Sequence, residues 1–473
     1  MTERYDAVVV GAGPNGLGAA ITLARAGKSV LVLEAADRPG GGTRTSELTL
    51  PGFRHDICST VQSMVSSSPL FAGLPLAELG CEEVVPAIGL AHALDGGRAA
   101  VVQRSVEATA AGLGRDGAAY RRLIGPLARQ SRGLFEEVLG PLRPPRHPLT
   151  MGRFGMRALW PAPAFARAVF RTEEARALFG GLSAHSIQPL TNPLTSAFGV
   201  MLAVSIHASG WPVVRGGSEA LAVALARYLS DLGVEIRCDT VVGSLDELPP
   251  ARAVLLDLTP RQVVAVAGDR LSDSYRGALD RYRYGPGVFK LDWALDGPIP
   301  WTAPQCREAG TVHLGGTLEE VVTSEAKDAP SPGARVPFVI LVQATVCDPS
   351  RAPDGKHTAW AYCHVPNGSP EDMTAAIEDQ VERFAPGFRD LVLARHVTDP
   401  AALQAYNPNY IGGDINGGIQ DWRQLYSRPV MRAVPYATSD RSLYICSSST
   451  PPGGGVHGMC GVWAARAALA RAF

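Results

Sequence analysis

Three glycines and an acid near the N-terminus have the types and spacing of a dinucleotide-binding turn. Gly11, Gly13 and Gly16 follow an apolar run, and Glu34 follows the next apolar run along the chain. The first glycine permits a tight turn, the second lets the backbone approach a pyrophosphate, and the third lets a helix pack closely on the strand. An acid at this distance accepts hydrogen bonds from both ribose hydroxyls, which favours FAD or NAD over NADP. The alternative is a purely structural turn.

A second glycine-rich segment near the C-terminus has the composition of another contact with the same ligand. Residues 447–461 contain Gly454, Gly455 and His457, and a helix is predicted over 462–473. Backbone N–H groups and a helix N-terminus stabilise an anion such as a pyrophosphate. His457 is the one imidazole predicted near the ligand, where it either transfers protons or hydrogen-bonds within its loop.

A Rossmann-type arrangement is needed to bring these residues together. The run 6–10 is predicted as a buried parallel strand, 17–24 as a helix that ends at Gly27, and 29–33 as a second strand. Further strands are predicted over 234–238, 241–242 and 253–256. No other GxGxxG follows a strand, which argues against a separate nicotinamide domain. Electrons are therefore expected to pass to oxygen, a quinone or another carrier.

Composition narrows the class of protein. The 473 residues are 46% hydrophobic, as in a globular enzyme, and 45 acids against 44 bases leave no electrostatic footprint for nucleic acid. The eight cysteines form no CxxC pair and no metal-spaced cluster, so reduced thiols and no metal site are expected. Because no apolar run reaches about 18 residues, we expect a cytoplasmic protein, peripheral to a membrane at most.

The segment after Glu34 resembles a known signature. Asp37-Arg-Pro-Gly-Gly-Gly-Thr-Arg44 is similar to the acid, arginine, glycine pair and small hydroxyl residue of the FAD-dependent amine oxidase and phytoene desaturase superfamily. The branch it looks most like is the phytoene-dehydrogenase-related oxidoreductases, where a small residue, here Gly42, replaces the arginine usual in amine oxidases. The resemblance implies FAD as the cofactor, with Arg44 a candidate for the role of that arginine. It implies contacts with FAD along both glycine-rich segments and between them, at Gly11, Gly13, Pro14, Asn15, Gly16, Glu34, Ala35, Arg38, Gly41, Gly42, Thr43, Arg44, Val241, Val242, Gly454, Gly455, Val456 and His457.

The resemblance also implies candidates for catalysis, among them His457. Lys290, in a strand predicted over 285–295, is similar to the amine oxidase lysine that holds a water against flavin N5. The alternative is a lysine on an exposed edge strand. Tyr410 and Asp414 belong to a glycine-rich loop similar to one in the same branch, where they either face substrate or flavin or only shape the loop.

The fold implied is α/β, a two-domain flavoprotein of glutathione-reductase-like topology. A discontinuous, Rossmann-type FAD-binding domain is predicted over 1–85, 211–265 and 430–473. A substrate-binding domain with an antiparallel sheet and helices is predicted over 86–210 and 266–429. Within the second domain, helices are predicted over 106–113, 118–139, 164–179 and 193–207, and strands over 311–322, 337–346 and 358–365.

The function implied is an oxidation in which hydride passes from the substrate to flavin N5. The first expectation is a dehydrogenase or desaturase of a hydrophobic, polyene- or terpenoid-like substrate or a secondary metabolite, with oxygen or a quinone as acceptor. The alternatives are an amine oxidase, a flavin-dependent isomerase and a prenyl- or lipid-binding protein without turnover. Residues 151–171 mix arginines with bulky apolar side chains and contain no acid. This composition is typical of a face that meets a membrane or admits substrate. The alternative is a helix packed on the core, with its arginines reaching into water. A monomer or homodimer is expected.

Overall fold

A parallel sheet assembled from three distant parts of the chain carries the glycine turn. The computed structural model describes residues 4–326 and 336–473. Valine, leucine and isoleucine dominate the inner strands because both faces of the sheet are covered. All neighbouring strands are parallel, in the spatial order β16 (Leu443–Ile445), β10 (Ala251–Leu256), β1 (Tyr5–Val10), β2 (Val30–Leu33) and β9 (Glu235–Arg237).

Helices cover both faces of this sheet. Ala7 and Val9 of β1 face one apolar core, and Val8 and Val10 face another, because successive side chains of a strand alternate. The first core also contains side chains of α1 (Pro14–Arg25), α9 (Glu219–Asp231) and α15 (Met459–Ala472). The second is closed by α10 (Pro260–Ala267) and α11 (Asp273–Asp280).

A second sheet of seven strands forms the other half of the molecule. Its order is β15 (Val392–Thr398), β11 (Gly287–Leu295), β14 (His357–Val365), β13 (Val339–Val342), β12 (Ala309–Leu314), β6 (Ile88–Leu94) and β7 (Arg98–Val102). Neighbours are antiparallel except β12 and β6. Helix α13 (Thr374–Phe384) packs on one face. The predicted α/β fold class, with a Rossmann-type sheet and an antiparallel sheet, is confirmed.

Two of the strands predicted in this sheet are shorter than expected. The prediction over 311–322 is wrong after Leu314, because Thr317 begins a helix, α12 (Leu318–Ser324). The Thr317 hydroxyl accepts a hydrogen bond from the Glu320 N–H, and the Glu320 carboxylate accepts one from the Thr317 N–H. Over 337–346 the strand is β13 alone, and a 3-10 turn follows at Ala344–Val346.

A helical segment covers part of the other face of the second sheet. The helices predicted over 118–139 and 164–179 are each two helices. The first breaks at Gln130, and the second breaks before Thr172, whose hydroxyl caps the next helix by accepting from the Ala175 N–H at 3.3 Å. The segment contains α2 (Val106–Gly112), α3 (Gly117–Arg129), α4 (Ser131–Val138), α5 (Pro148–Ala158), α6 (Ala162–Val169), α7 (Glu173–Ala184) and α8 (Thr195–Ser209).

Shorter elements join the two halves. They are the strand pairs β3 (Thr45–Ser46) with β4 (His55–Asp56) and β5 (Glu83–Val84) with β8 (Val213–Val214), and the helix α14 (Pro400–Tyr406). Among the described residues, no helix is long and apolar enough to cross a bilayer. The strands of the two sheets fall on opposite sides of the predicted domain boundaries. We retain the predicted division into two domains as a proposal.

Candidate active site

A cavity of about 750 Å³ lies where the two sheets meet. Both glycine-rich segments line one end. The floor of the other end comes from the second sheet, through Thr311, Ile340, Val342, Trp360 and Tyr362. The roof is apolar and comes from the helical segment, through Val138, Leu139, Phe154, Ala158, Leu194, Ala197, Phe198, Met201 and Leu202. The cavity therefore has a polar end suited to a cofactor and an apolar end suited to a lipophilic substrate.

The glycine turn forms a cradle that side chains would fill. Gly11 has φ of +102°, which favours glycine, and a Cβ on Gly16 would lie 2.0 Å from the Gly11 carbonyl oxygen. A Cβ on Gly461 of α15 would lie 1.8 Å from the Asn15 carbonyl oxygen, so α15 packs directly on α1. Both helices follow parallel strands, which puts their N-termini at the same edge of the sheet. Two helix N-termini beside bare backbone fit the pyrophosphate of a dinucleotide.

Glu34 lies where a ribose is expected. It is buried and lines the cavity; Oε2 accepts from the Ala12 N–H at 2.7 Å, and Oε1 accepts from the Ala36 N–H at 3.0 Å. Arg44 Nη2 donates to the same Oε1 at 3.0 Å. An ionised carboxylate has about four lone-pair sites, and these donors occupy both sites of Oε1 but only one of Oε2, so Oε2 has room for a ribose hydroxyl.

The segment after Glu34 is divided between the cavity and the protein surface. Ala35, Gly41, Gly42, Thr43 and Arg44 line the cavity, and the Arg44 guanidinium lies 5.7 Å from the centre of the Tyr406 ring. Arg38 does not line the cavity, because Nε pairs with Glu219 at 2.8 Å. A Cβ on Gly42 would lie 2.3 Å from the Tyr410 hydroxyl, which explains the small residue at this position.

The remaining predicted cofactor contacts lie along two loops. Gly454, Gly455, Val456 and His457 line the cavity, as do Val241 and Val242. The two valines lie outside any strand, in contrast to the prediction, because Thr240 N–H and Asp239 N–H donate to the ends of the β2 segment at Glu34 O and Ala36 O instead of continuing β9. Gly16 does not line the cavity, since its N–H donates to Asp257.

His457 is held inside its own loop. Its Nδ1 accepts from the Met459 N–H at 3.0 Å, and Nε2 faces the carbonyls of Gly453 and Gly454 without a well-formed hydrogen bond. Burial lowers the pKa of His457 to about 4. The imidazole is therefore neutral at pH 7, with the proton on Nε2.

Tyr410 lines the cavity, whereas Asp414 does not. The Asp414 carboxylate is buried, accepting from the Gly285 N–H at 2.7 Å and from the Asn416 N–H at 2.8 Å. Burial raises the pKa of Asp414. The carboxylate shapes the glycine-rich loop and ties it to the start of β11. Its neighbour Asn416 does line the cavity.

Lys290 lies on an inner strand, β11, directly opposite Tyr362 of the cavity floor. Its Nζ pairs with Asp292 at 2.5 Å and lies 5.2 Å from the centre of the Trp360 ring, whose indole lines the cavity. Asp292 also faces His55, with Oδ1 3.5 Å from Nδ1. Although burial opposes the change, Lys290 and then His55 lower the pKa of Asp292. Lys290 itself does not line the cavity.

Several cavity residues were not predicted. Trp360 and Tyr362 stack with ring centroids 5.7 Å apart, and their alternation along β14 places them on one face. Asp257 follows β10, which pairs with β1, so its place in the sheet could have suggested contact with the glycine turn. His185 and Trp211 carry no local signal, because tertiary packing alone brings them to the cavity.

A Rossmann-type sheet with a glycine turn, sharing a cavity with an antiparallel sheet, is the architecture expected of a flavoprotein oxidoreductase. A family model described as an NAD(P)-binding Rossmann-like domain matches residues 9–72. The pyridine nucleotide-disulfide oxidoreductase domain-containing protein 2 of Mus musculus is 26% identical over 548 residues, covering 98% of this chain and 92% of the relative. The phytoene desaturase (neurosporene-forming) of Rhodobacter capsulatus is 26% identical over 518 residues, covering 96% of this chain and 92% of the relative.

Solved structures share the fold along the whole chain. An oxidoreductase from Methanosarcina mazei superposes with a TM-score of 0.65 at 17% identity, covering 97% of this chain and 99% of that chain. A putrescine oxidase bound to putrescine gives 0.61 at 19% identity, covering 99% of each chain. The similarity to a phytoene desaturase along the chain confirms the predicted resemblance, and the solved structures confirm the fold. The chain is an FAD-dependent oxidoreductase.

Proposed function

We propose that the chain is a dehydrogenase or desaturase of a lipophilic, polyene- or terpenoid-like substrate. The observation that carries this proposal is the apolar end of the cavity, which continues directly from the glycine turns. Relatives named as phytoene desaturases support the same class of substrate. An apolar cavity of this kind binds a hydrocarbon segment through burial of surface rather than through hydrogen bonds.

FAD, when bound, supplies the hydride acceptor. The backbone of the glycine turn and the N-termini of α1 and α15 would hold its pyrophosphate, and Glu34 its ribose. The residues of the floor and roof orient the substrate and exclude water. Lys290 acts as a positioning residue through Asp292 and the Trp360 ring. Tyr410 and His457 shape the wall on the cofactor side, and Asp414 holds the loop that carries Tyr410.

Amine oxidation is the less favoured alternative. Among the described residues that line the cavity, the acids are Glu34 and Asp257, and both lie at the glycine turn. The apolar end therefore offers no carboxylate to an ammonium group. The aromatic floor has the Lys290 cation close beside it, which disfavours a second cation there.

We also propose that the substrate reaches the cavity from a membrane surface. In α5, Phe154 and Ala158 line the cavity, while Leu149 and Met156 on the outer side are 76% and 66% exposed. Residues 138–172 contain arginines and no acid. Such a surface suits an anionic bilayer. Sedimentation with anionic vesicles should capture the chain, and replacing Leu149 and Met156 together with glutamate should abolish the capture.

Anaerobic spectroscopy of the purified holoprotein tests the proposed reaction. Mixing with phytoene in detergent micelles should bleach the flavin bands while absorption of a longer conjugated polyene appears. A change in phytoene that yields no longer conjugated polyene and no net bleaching of the flavin would indicate an isomerase instead. Bleaching by a panel of amines but not by polyenes would contradict the proposal, and a protein that takes up no FAD would indicate a lipid-binding role.

A further inference from the structure

Three histidines form a buried row from the second sheet to the cavity. His92 on β6 and His313 on β12 are fully buried. His185, directly after α7, lines the cavity. The aromatic rings of Phe338 and Trp211 pack around the row. Burial lowers the pKa of His92 to about 4, that of His185 to about 3 and that of His313 well below its ordinary value, so the row is neutral at pH 7.

At the end of the row away from the cavity, a hydrogen bond to a carbonyl fixes which nitrogen of His92 carries the proton. Nε2 of His92 lies 2.8 Å from the carbonyl oxygen of Gly316. A carbonyl can only accept, so the proton of the neutral ring is on Nε2. Nδ1 of His92 therefore carries a lone pair, and it has no hydrogen-bond partner in the described chain.

The positions of the ring nitrogens extend the assignment of the protons to His313 and His185. Nδ1 of His92 and Nδ1 of His313 converge on Gly181, where a Cβ would lie 2.5 Å and 2.6 Å from them. The two ring centroids are 5.8 Å apart and neither Nδ1 has a hydrogen-bond partner in the described chain, so no hydrogen bond joins these nitrogens. We place the proton of His313 on Nδ1 because the other tautomer would set two lone pairs against each other. Nε2 of His313 is then the acceptor for Nε2–H of His185, at 2.9 Å.

The last ring nitrogen of the row is left free. With its proton on Nε2, His185 carries a lone pair on Nδ1, for which no partner exists among the described residues. The indoles that line the same end of the cavity are already committed. Trp211 Nε1 donates to Thr311 Oγ1 at 2.8 Å, and Trp360 Nε1 donates to Thr60 Oγ1 at 2.8 Å.

We propose that His185 is a specificity residue whose Nδ1 accepts a hydrogen bond from a hydroxyl or N–H group of an otherwise lipophilic substrate. This inference rests on the proposed function and narrows its substrate class. A neutral acceptor within an apolar wall raises the affinity for a ligand with one hydrogen-bond donor, and it does not raise the affinity for a plain hydrocarbon.

Ligand binding to the FAD-loaded protein tests the proposal. The probes are farnesol, which has a hydroxyl donor, and farnesyl methyl ether, which has none, with affinity followed by quenching of the cavity tryptophans. We expect farnesol to bind roughly 3- to 10-fold more tightly, the worth of one hydrogen bond. His185→Phe should remove this preference while both probes still bind. Tyr362 also carries a hydroxyl and lines the same cavity, so Tyr362→Phe is measured in parallel and should keep the preference.

Nitrogen-15 NMR of histidine-labelled protein gives a readout that needs no ligand. His185 should show a protonated Nε2 and an unprotonated Nδ1. A proton on Nδ1, or a farnesol preference that survives in His185→Phe, would overturn the proposal. Loss of the preference in Tyr362→Phe alone would assign it to the tyrosine. If neither probe binds, the lipophilic substrate class of the proposed function fails, and the tautomer still decides the role of His185.

Discussion

Asp257 places a carboxylate directly beneath the glycine turn. Its Oδ2 accepts from the Gly16 N–H at 2.9 Å, and burial raises the pKa of Asp257 to about 7 from 3.8. The folded chain therefore keeps this proton at pH values where the unfolded chain has lost it. The stabilisation is complete below pH 3.8 and is lost as the pH rises through about 7.

Replacing Asp257 with asparagine should remove this pH dependence and keep an acceptor for the Gly16 N–H. Between pH 5 and 8, the free energy of unfolding of the apoprotein should fall by roughly 2–3 kcal/mol more in the wild type than in the variant. Urea unfolding at both pH values measures the difference. Asp354→Asn, at an exposed site, is the control. Parallel curves for Asp257→Asn and wild type would contradict the raised pKa.

Substitutions in the buried pair of Lys290 and Asp292 distinguish a structural role of Lys290 from a catalytic one. Lys290→Met leaves the Asp292 charge buried beside His55 alone, so the free energy of unfolding should fall by about 3–5 kcal/mol. The double variant with Asp292→Asn should recover most of that loss. If the role of Lys290 is to neutralise Asp292, oxidation of the reduced flavin by oxygen should also return close to the wild-type rate.

Urea unfolding and stopped-flow reoxidation of the same samples provide the comparison. A double variant that is stable but still slow toward oxygen would support the direct water contact predicted from the sequence. A double variant as unstable as Lys290→Met would show that loss of the ion pair does not cause the instability of the single variant.

At the scale of elements, the contact of α1 with α15 aligns the two helix N-termini. Because a Cβ on Gly461 meets backbone atoms of α1, at 1.8 Å from Asn15 O and 2.7 Å from Ala19 N, the helices must separate in Gly461→Ala. We expect the free energy of unfolding to fall by at least about 2 kcal/mol, with weaker retention of FAD. Gel filtration followed by the ratio of flavin to protein absorbance measures the retention.

Gly152→Ala supplies a matched control for that substitution. Gly152 lies within α5, and a Cβ there has no neighbour within 4 Å. The same chemical change should leave FAD bound and stabilise the chain by up to about 1 kcal/mol. Equal loss of FAD in both variants would mean that the packing of α15 on α1 does not control the cofactor site.

Local signals predicted some elements and missed others for physical reasons. The glycine turn was predictable because its strand, turn, helix and acid are consecutive. The end of β12 was not, since the apolar residues of α12 continue the strand's hydrophobic pattern and only Thr317 and Glu320 mark the helix start. The breaks at Gln130 and Thr172 were hidden in the same way by helical periodicity on both sides.

At the scale of the molecule, a buried arginine joins the two halves. Arg351, from the loop between β13 and β14, pairs with Asp56 at 2.9 Å and Asp348 at 2.9 Å, and it donates to the Val214 carbonyl at 2.9 Å. Asp56 also accepts from the Ser218 N–H at the start of α9. The guanidinium therefore neutralises two buried carboxylates at the seam between the sheets.

Arg351→Met should lower the free energy of unfolding by about 3–5 kcal/mol, because both carboxylates lose their counter-charge. Arg351→Lys should rescue little, since one ammonium cannot match the planar fork that reaches three acceptors. Calorimetry should resolve two transitions in Arg351→Met and a single transition in the wild type. A single transition at the wild-type temperature would show that the seam is held elsewhere.

The cavity marks the limit of prediction at this scale. Both glycine-rich segments were assigned to one cofactor, and the structure brings them to one end of the cavity. The opposite end depends on side chains such as His185, Trp211 and Trp360, which meet only after three separate elements have packed. Spacing along the chain carries no information about such meetings, so substrate recognition had to come from the geometry.

The order of the parallel sheet also has a consequence for biosynthesis. β1 and β2 leave the ribosome first, β10 follows only after the helical segment, and β16 with α15 comes after the entire mixed sheet. The nascent chain must therefore carry a half-built cofactor site through most of its synthesis. We therefore expect capture of FAD to be a late event, with the exposed edges of the parallel sheet open to chaperones and to aggregation until then.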